Sequence, residues 1–288
     1  MVTVARAGLC TLASVLVLVL VPAAAPAPAA APPQRIVSLS PTATEDLFAI
    51  GAGRQVVAVD DQSDYPPNAP RTKLSGYQPN AEAVAAYRPD LVVIANDANG
   101  LVAALGKLHV PVLVEPPAKS LAGAYAQIER LGRATGHAAR ARAVVARLRR
   151  EVKAVIASVP PAARGLSFYE ELSPDYYSAT SKTFTGGVLE LLGLKDVADA
   201  ADKTGSGYPK LSAEYILASD PELIVLADTK CCGQTAARVA ARPGWSGVAA
   251  VRNGALVAVN DDVASRWGPR IVQFMRAVAR AASAAAGR

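Results

Sequence analysis

Two adjacent cysteines, Cys231 and Cys232 in "DTKCCGQ", are the side chains with the most obvious chemistry in this sequence. Neighbouring thiols can close a strained eight-membered disulfide ring, stay free, or capture a soft metal. The rest of the chain offers a metal or a catalytic cycle little. Its two histidines, His109 and His137, form no cluster with cysteine or carboxylate at zinc-ligand spacing. "GAGRQV" opens at the end of a helical pattern rather than of a strand, so it is no dinucleotide loop. "TGSGY" lacks the nucleophile-elbow spacing, and there is no phosphate loop. Carboxylates are common, but their spacing nominates no acid–base pair. The residues therefore argue for binding rather than catalysis, and no metal site is expected.

Tyrosine is the better signal. Nine tyrosines outnumber four phenylalanines. Tyr65, Tyr77, Tyr169, Tyr176, Tyr177 and Tyr208 all fall in expected loops or at strand ends. Open α/β sheets bind ligands beyond the carboxyl ends of their strands. A tyrosine there offers a wide apolar face and a polar tip at low entropy cost. Such a lining suits a large, flat, partly polar molecule. The competing reading is that these rings cap the edges of the core.

A second signal is repetition. "NAEAVAAYRPDLVVIA" (80–95) returns as "SAEYILASDPELIVLA" (212–227), with Glu82 and Glu214 at matched positions. Each copy reads as a short helix and a strand. Two copies so far apart are not a solenoid, which needs a shorter period and more units. They point to two similar α/β lobes. Early-helix glutamates also suit the helix dipole, and duplication alone would preserve them.

The elements between follow the same plan. "RIVSLSP" is a buried strand stopped by proline, and "TATEDLFAIGAG" a helix with Thr42 and Glu45 as a capping box. "QVVAVD" is a strand, and "DQSDYPPNAPRTKLSGYQP" a long turn-rich loop. After the strand "VPVLVE", residues 121–158 are helical with a break at "TGH". "AARARAVVARLRREVKAVIAS" then runs uninterrupted to the double proline at 160–161, roughly 30 Å of helix. "GLSFYEEL" and "TFTGGVLELLGL" restart the strand–helix pattern, "GALVAVN" is the last strand, and a helix from Gly268 closes the chain. The expected fold is α/β, two Rossmann-like lobes of parallel sheet (35–136 and 160–288) joined by one long rigid helix (137–159).

The N-terminus reads as export. Arg6, the apolar run from Leu12 to Val21 and the small residues after it describe a signal peptide cut after Ala29, followed by a linker at 30–34. The run is short for a membrane span of about 20 residues. Cys10 lies upstream of it, so no lipid-modified N-terminus is expected, and the mature chain belongs in the periplasm or outside the cell. Adjacent cysteines in an oxidising compartment favour the disulfide, a rigid flat wall rather than a staple, since the loop encloses no residue. The formal charge of +6 is dispersed over Ala/Arg helices without interleaved aromatics, which speaks against a nucleic-acid partner.

"RIVSLSPTATEDLFAIGAG", "SDYPP", "GYQPNAEAVAAYRPDLVV", "LSAEYILASDPELIVLA" and "RWGPRIVQFMRAVA", in this order and spacing, resemble the solute-binding proteins of importers for cobalamin, ferric siderophores and haem. The resemblance spans about Arg35 to Ala282. It implies two lobes bridged by a rigid helix and a ligand in the cleft between them. It also implies a monomer working without a resident cofactor, whose ligand is itself a metal chelate. It implies that Glu82 and Glu214 dock onto arginines of a two-subunit ABC permease. It places Tyr65, Tyr77 and Tyr208 toward the ligand, and Tyr169, at a strand end, is expected to join them. Ser40, Pro41 and Thr42 would meet its polar edge with backbone N–H groups. Asp262, Arg266 and Trp267, with Asp261, would reach it from the loop after the last strand. Tyrosine stands where cobalamin binders often carry tryptophan, and Arg266 with Lys230 would suit an anionic ferric siderophore. Haem would require an axial tyrosine or histidine, which no residue marks out.

Overall fold

In the computed structural model, residues 1–3 and 31–287 are described. The apolar run and cleavage position of the expected signal peptide lie outside them. Chain order is β1 (Ile36–Leu39), α1 (Pro41–Ala49), β2 (Val56–Asp60), β3 (Arg71–Leu74), α2 (Ala81–Ala85), β4 (Leu91–Ile94), α3 (Leu101–Lys107), β5 (Val112–Val114) and α4 (Leu121–Ala134). The long helix α5 (Ala138–Ser158) follows. The second half holds β6 (Ser167–Glu171), α6 (Phe184–Glu190), β7 (Lys195–Asp196), α7 (Ala213–Ser219), β8 (Leu223–Leu226), α8 (Thr229–Cys232), α9 (Ala236–Ala240), α10 (Ala249–Arg252), β9 (Leu256–Ala258), α11 (Asp261–Ser265) and α12 (Ile271–Ala286).

The strands form two parallel sheets, ordered β3-β2-β1-β4-β5 and β7-β6-β8-β9. The repeated segments occupy the same place in each: β4 lies beside β1 as β8 lies beside β6. The first sheet is apolar on both faces because helices cover both, as parallel sheets require. Along β1 and β4, Ile36, Leu91 and Val93 join the large core, while Val37, Leu39, Val92 and Ile94 join a smaller one under α3.

Helix α5 ties the halves together. Ala141, Val144, Val145, Leu148, Val152 and Val155 recur at helical spacing and are buried. They pack against α4 from the first half and α12 from the last. Burying each valine or leucine is worth about 1.5–3 kcal/mol. One continuous core thus runs through both lobes, which opposes their separation.

Three local expectations need correction. The N-cap of α1 is Ser40, whose side chain accepts from the Ala43 N–H, because Pro41 takes the first helical position. Thr42 and Glu45 therefore form no capping box. The turn-rich loop contains a short edge strand, β3. The polar loop after the last strand coils into α11 behind its cap Asn260.

Candidate ligand-binding cleft

Two cavities meet between the lobes and share Pro117, Ser265 and Trp267. One, of about 440 Å³, is faced mainly by the C-terminal lobe: Glu170, Leu172, Thr183, Phe184, Thr185, Ser206, Gly207 and Tyr208. The other, of about 330 Å³, is faced by the N-terminal lobe: Leu39, Ser40, Pro41, Thr42, Asp60, Gln62, Gly76, Tyr77, Ala95 and Asn96, with Asp262 and Arg266. Nearly all of these lie at or just beyond the carboxyl ends of strands, where the parallel topology leaves a crevice. Trp267 stands at the waist, its indole N–H held by Gln127 Oε1 at 2.7 Å. Gly76 has no alternative, since a Cβ there would meet the Leu39 carbonyl oxygen at 2.7 Å.

Tyr77 and Tyr208 are 78% and 54% exposed, one at each cavity. Exposed rings of this size facing a crevice are ready-made ligand contacts. Ser40, Pro41 and Thr42 line the N-terminal cavity. Pro41 has no N–H and Ala43 gives its own to the Ser40 side chain, which leaves the backbone N–H groups of Ser40 and Thr42 on this wall.

Two expected tyrosines lie elsewhere. Tyr169 is fully buried. Strand alternation turns it away from the cleft, against Trp245 at 6.3 Å between ring centroids, with its hydroxyl donating to Glu171. It belongs to the core. Tyr65 lines neither cleft cavity. Its ring lies under the Arg270 guanidinium, 4.2 Å away, in a separate hollow with Phe48, Pro66 and Arg147.

The charged residues form a network that crosses the lobes. Arg270 grips Glu45 with Nε to Oε2 at 2.8 Å and Nη2 to Oε1 at 2.6 Å. Arg266, only 6% exposed, reaches Glu45 Oε1 at 2.9 Å, Asp64 at 3.1 Å, Asp262 at 2.9 Å and the Gln62 carbonyl at 2.9 Å. Lys230 Nζ lies 2.6 Å from both Asp64 and Asp262. Burial opposes ionisation of Asp64, but Lys230 and Arg266 together hold its carboxyl down at about 2. Lys230 is correspondingly raised by Asp262 and Asp64. The expectation that Arg266 and Lys230 face an anionic ligand is corrected here: both cations are neutralised within the protein.

Cys231 and Cys232 are disulfide-bonded. They are exposed in α8 and line neither cavity, so they are not a wall for ligand. Asp261 anchors that turn by accepting from the Lys230 N–H at 2.9 Å and the Cys231 N–H at 2.6 Å. The link fixes the backbone from which Lys230 reaches across to Asp64.

Sequence reasoning missed Glu170, Asp60, Asn96 and Thr185. The carboxyl-end rule could have found Asn96, just past β4, and Asp60, the last residue of β2. Burial lifts Asp60 to about 6, with Asp61 adding to it against the Ser63 hydroxyl. Glu82 and Glu214 are exposed in the first turns of α2 and α7, behind N-caps Asn80 and Ser212. Both helices start at the carboxyl-end side of their sheets, so the two glutamates share the cleft side of the molecule. Among the described residues no cluster of three or more His, Cys, Asp or Glu could hold a metal ion, and no helix is long and apolar enough to cross a membrane.

This geometry has known counterparts. Residues 36–263 match the model of the family described as periplasmic binding protein. A cobalamin-binding protein of Halobacterium salinarum is 34% identical over 258 residues, covering 86% of this chain and 69% of that protein. An uncharacterized ABC transporter substrate-binding lipoprotein of Bacillus subtilis is 30% identical, covering 86% and 79%. A periplasmic solute-binding protein of Staphylococcus epidermidis, named as a possible iron-binding protein, superposes with a TM-score of 0.75 at 26% identity, covering 87% and 99%. These relatives are binding proteins, not enzymes, and the Staphylococcus epidermidis structure shares the fold seen here. The chain belongs to the periplasmic binding protein family.

Proposed function

We propose that this protein is exported, captures a corrinoid in the interlobe cleft and delivers it to an ABC importer permease. The observation that carries this reading is the cleft itself. Two joined cavities flank Trp267, an exposed tyrosine stands at each, and Arg266 and Lys230 are already neutralised. Such a surface favours a broad ligand with an uncharged polar rim over a compact anion. The Halobacterium salinarum relative's name supports the same ligand. The alternative, a ferric siderophore or haem, draws on the name of the Staphylococcus epidermidis protein and on Lys119 and Lys182, exposed around the larger cavity.

The test is a titration of the mature chain with cyanocobalamin, haem and several ferric siderophores, followed by tryptophan fluorescence and calorimetry. Trp267 at the waist should report occupancy. Tight one-to-one binding of cyanocobalamin alone is expected. Binding of a siderophore or haem alone overturns the corrinoid assignment while leaving the carrier role.

Delivery makes its own prediction. Exposed ion pairs contribute about 0–1 kcal/mol each and act chiefly on orientation and encounter rate. Two such contacts fit a carrier that must let go. Glu82→Lys with Glu214→Lys should leave ligand affinity unchanged and lower permease association, measured in proteoliposomes, by about tenfold or more, because each contact turns repulsive. Unchanged association removes these glutamates from the docking surface.

A further inference from the structure

Glu170 is a penultimate strand residue with no partner. It pairs through its backbone with Val225 at the centre of the second sheet, is fully buried, and lines the larger cavity. Neither carboxyl oxygen has a hydrogen-bond partner. Its sequence neighbour Glu171 points to the opposite face and is saturated, by Arg242 at 2.6 Å on both oxygens and by Gln234 at 3.2 Å. The contrast matters because a buried polar group left unmatched costs about 1–3 kcal/mol. A carboxyl kept in such a place calls for a partner that arrives with the ligand.

The groups facing Glu170 are Asp196 on β7, Thr185 on α6 and Tyr208 on the loop before α7, with Lys119, Lys182 and Asp261 elsewhere around the cavity. No ion pair involves it among the described residues. Burial lifts its carboxyl to about 8, the Asp196 charge adds to this, and the Thr185 hydroxyl offsets only part, without a hydrogen bond of normal geometry. At neutral pH it is an acid that can donate.

We propose that Glu170, as an un-ionised acid on the floor of the C-terminal cavity, recognises a primary carboxamide on the rim of the ligand. Its O–H donates to the amide oxygen, and its carbonyl oxygen accepts from the amide N–H. The inference rests on the corrinoid reading, since a corrin ring carries carboxamides around its edge. An anionic edge, with acceptors only, would find one donor where an amide finds a matched pair. Glu170 thus selects for ligand chemistry where the neutralised Arg266 and Lys230 do not.

The experiment is calorimetric titration of wild type, Glu170→Gln and Glu170→Leu with cyanocobalamin across the pH range around the Glu170 titration. The sign follows from the protonated form being the one that binds. Wild-type affinity holds below about pH 8 and weakens roughly tenfold per unit above it. Glutamine keeps a donor and an acceptor without titrating, so Glu170→Gln binds with little change and without that decline. Glu170→Leu binds at least about tenfold more weakly than wild type below about pH 8, and the gap closes above it as wild type loses the same contact. Asp60 and Asp228 also titrate between about 6 and 7, equally in wild type and Glu170→Gln, and Asp196, which faces Glu170, is largely ionised by the time Glu170 titrates, so the difference between those profiles above about pH 8 isolates Glu170. Removing an unmatched buried carboxyl should leave both variants melting at or above wild type, and Glu170→Gln carries the test if the leucine variant does not. Identical profiles for wild type and Glu170→Gln, or wild-type affinity in Glu170→Leu, overturn the contact and leave the corrinoid reading intact. No cyanocobalamin binding by wild type at any pH overturns both.

Discussion

Glu45→Ala is expected to lower the unfolding free energy by about 3–5 kcal/mol, the range for stranding a buried charge by removing its partner. In a protein of this size that is a drop on the order of 10 °C in Tm. The carboxylate side chain is 1% exposed and both of its oxygens are engaged, by Arg266 and Arg270 with side chains 7% and 13% exposed. Without Glu45, Arg266 keeps Asp64 and Asp262. Arg270 keeps only the face of Tyr65. Desolvated guanidinium without a counter-charge is what makes the loss large. Glu45→Ala combined with Arg270→Met should therefore be less damaging than the sum of the two single changes, since the stranded charge is gone. Urea unfolding of the four proteins measures this. A loss below about 1 kcal/mol in Glu45→Ala would place the pair among weak surface contacts and contradict the burial.

That network also explains what the sequence could and could not reveal. The repeat at 80–95 and 212–227 was legible because short-range patterning carries it: an N-cap, a helical turn, then a run of branched apolar residues. The long helix was legible because nothing breaks it before the double proline. Glu45 was not, since its partners lie 221 and 225 residues along the chain. Local reading assigned it to a capping box with Thr42, when Pro41 had already shifted the cap to Ser40. Arg266 and Lys230 read as free cations for the same reason. Each faces Asp64, which only the fold brings near, although Asp262, four residues before Arg266, was within local reach. Tyr169 was assigned to the ligand because it sits near a strand end. In a strand covered on both faces, one register position decides between cleft and core. "FYEE" does not declare which side either carboxylate takes, so Glu170 and Glu171 look alike in sequence and have opposite situations in the structure. Tyr77 and Tyr208, flanked by Gly76 and Pro209, were legible because turn chemistry already placed them outside the core.

Tyr77→Ala and Tyr208→Ala should each weaken cyanocobalamin binding by about 2 kcal/mol, roughly thirtyfold, the scale of an aromatic anchor at the centre of a binding surface. The two rings stand at different cavities with Trp267 between them, and no contact joins them. Their effects should add, to about a thousandfold in the double variant. The exposure of both rings sharpens the test. A side chain 78% or 54% exposed contributes little to the core, so neither truncation should move Tm appreciably. Affinity lost at constant stability then reports contact with ligand and not damage to the fold. Tyr65 supplies the control. It belongs to the hollow beneath Arg270, so Tyr65→Ala should leave affinity within about threefold while loosening the packing around the Glu45–Arg270 pair. If Tyr65→Ala costs as much affinity as Tyr77→Ala, the ligand reaches past the Arg266 network into that hollow. If neither Tyr77 nor Tyr208 matters, the ligand is too small to touch both lobes, and the corrinoid assignment gives way to a more compact chelate.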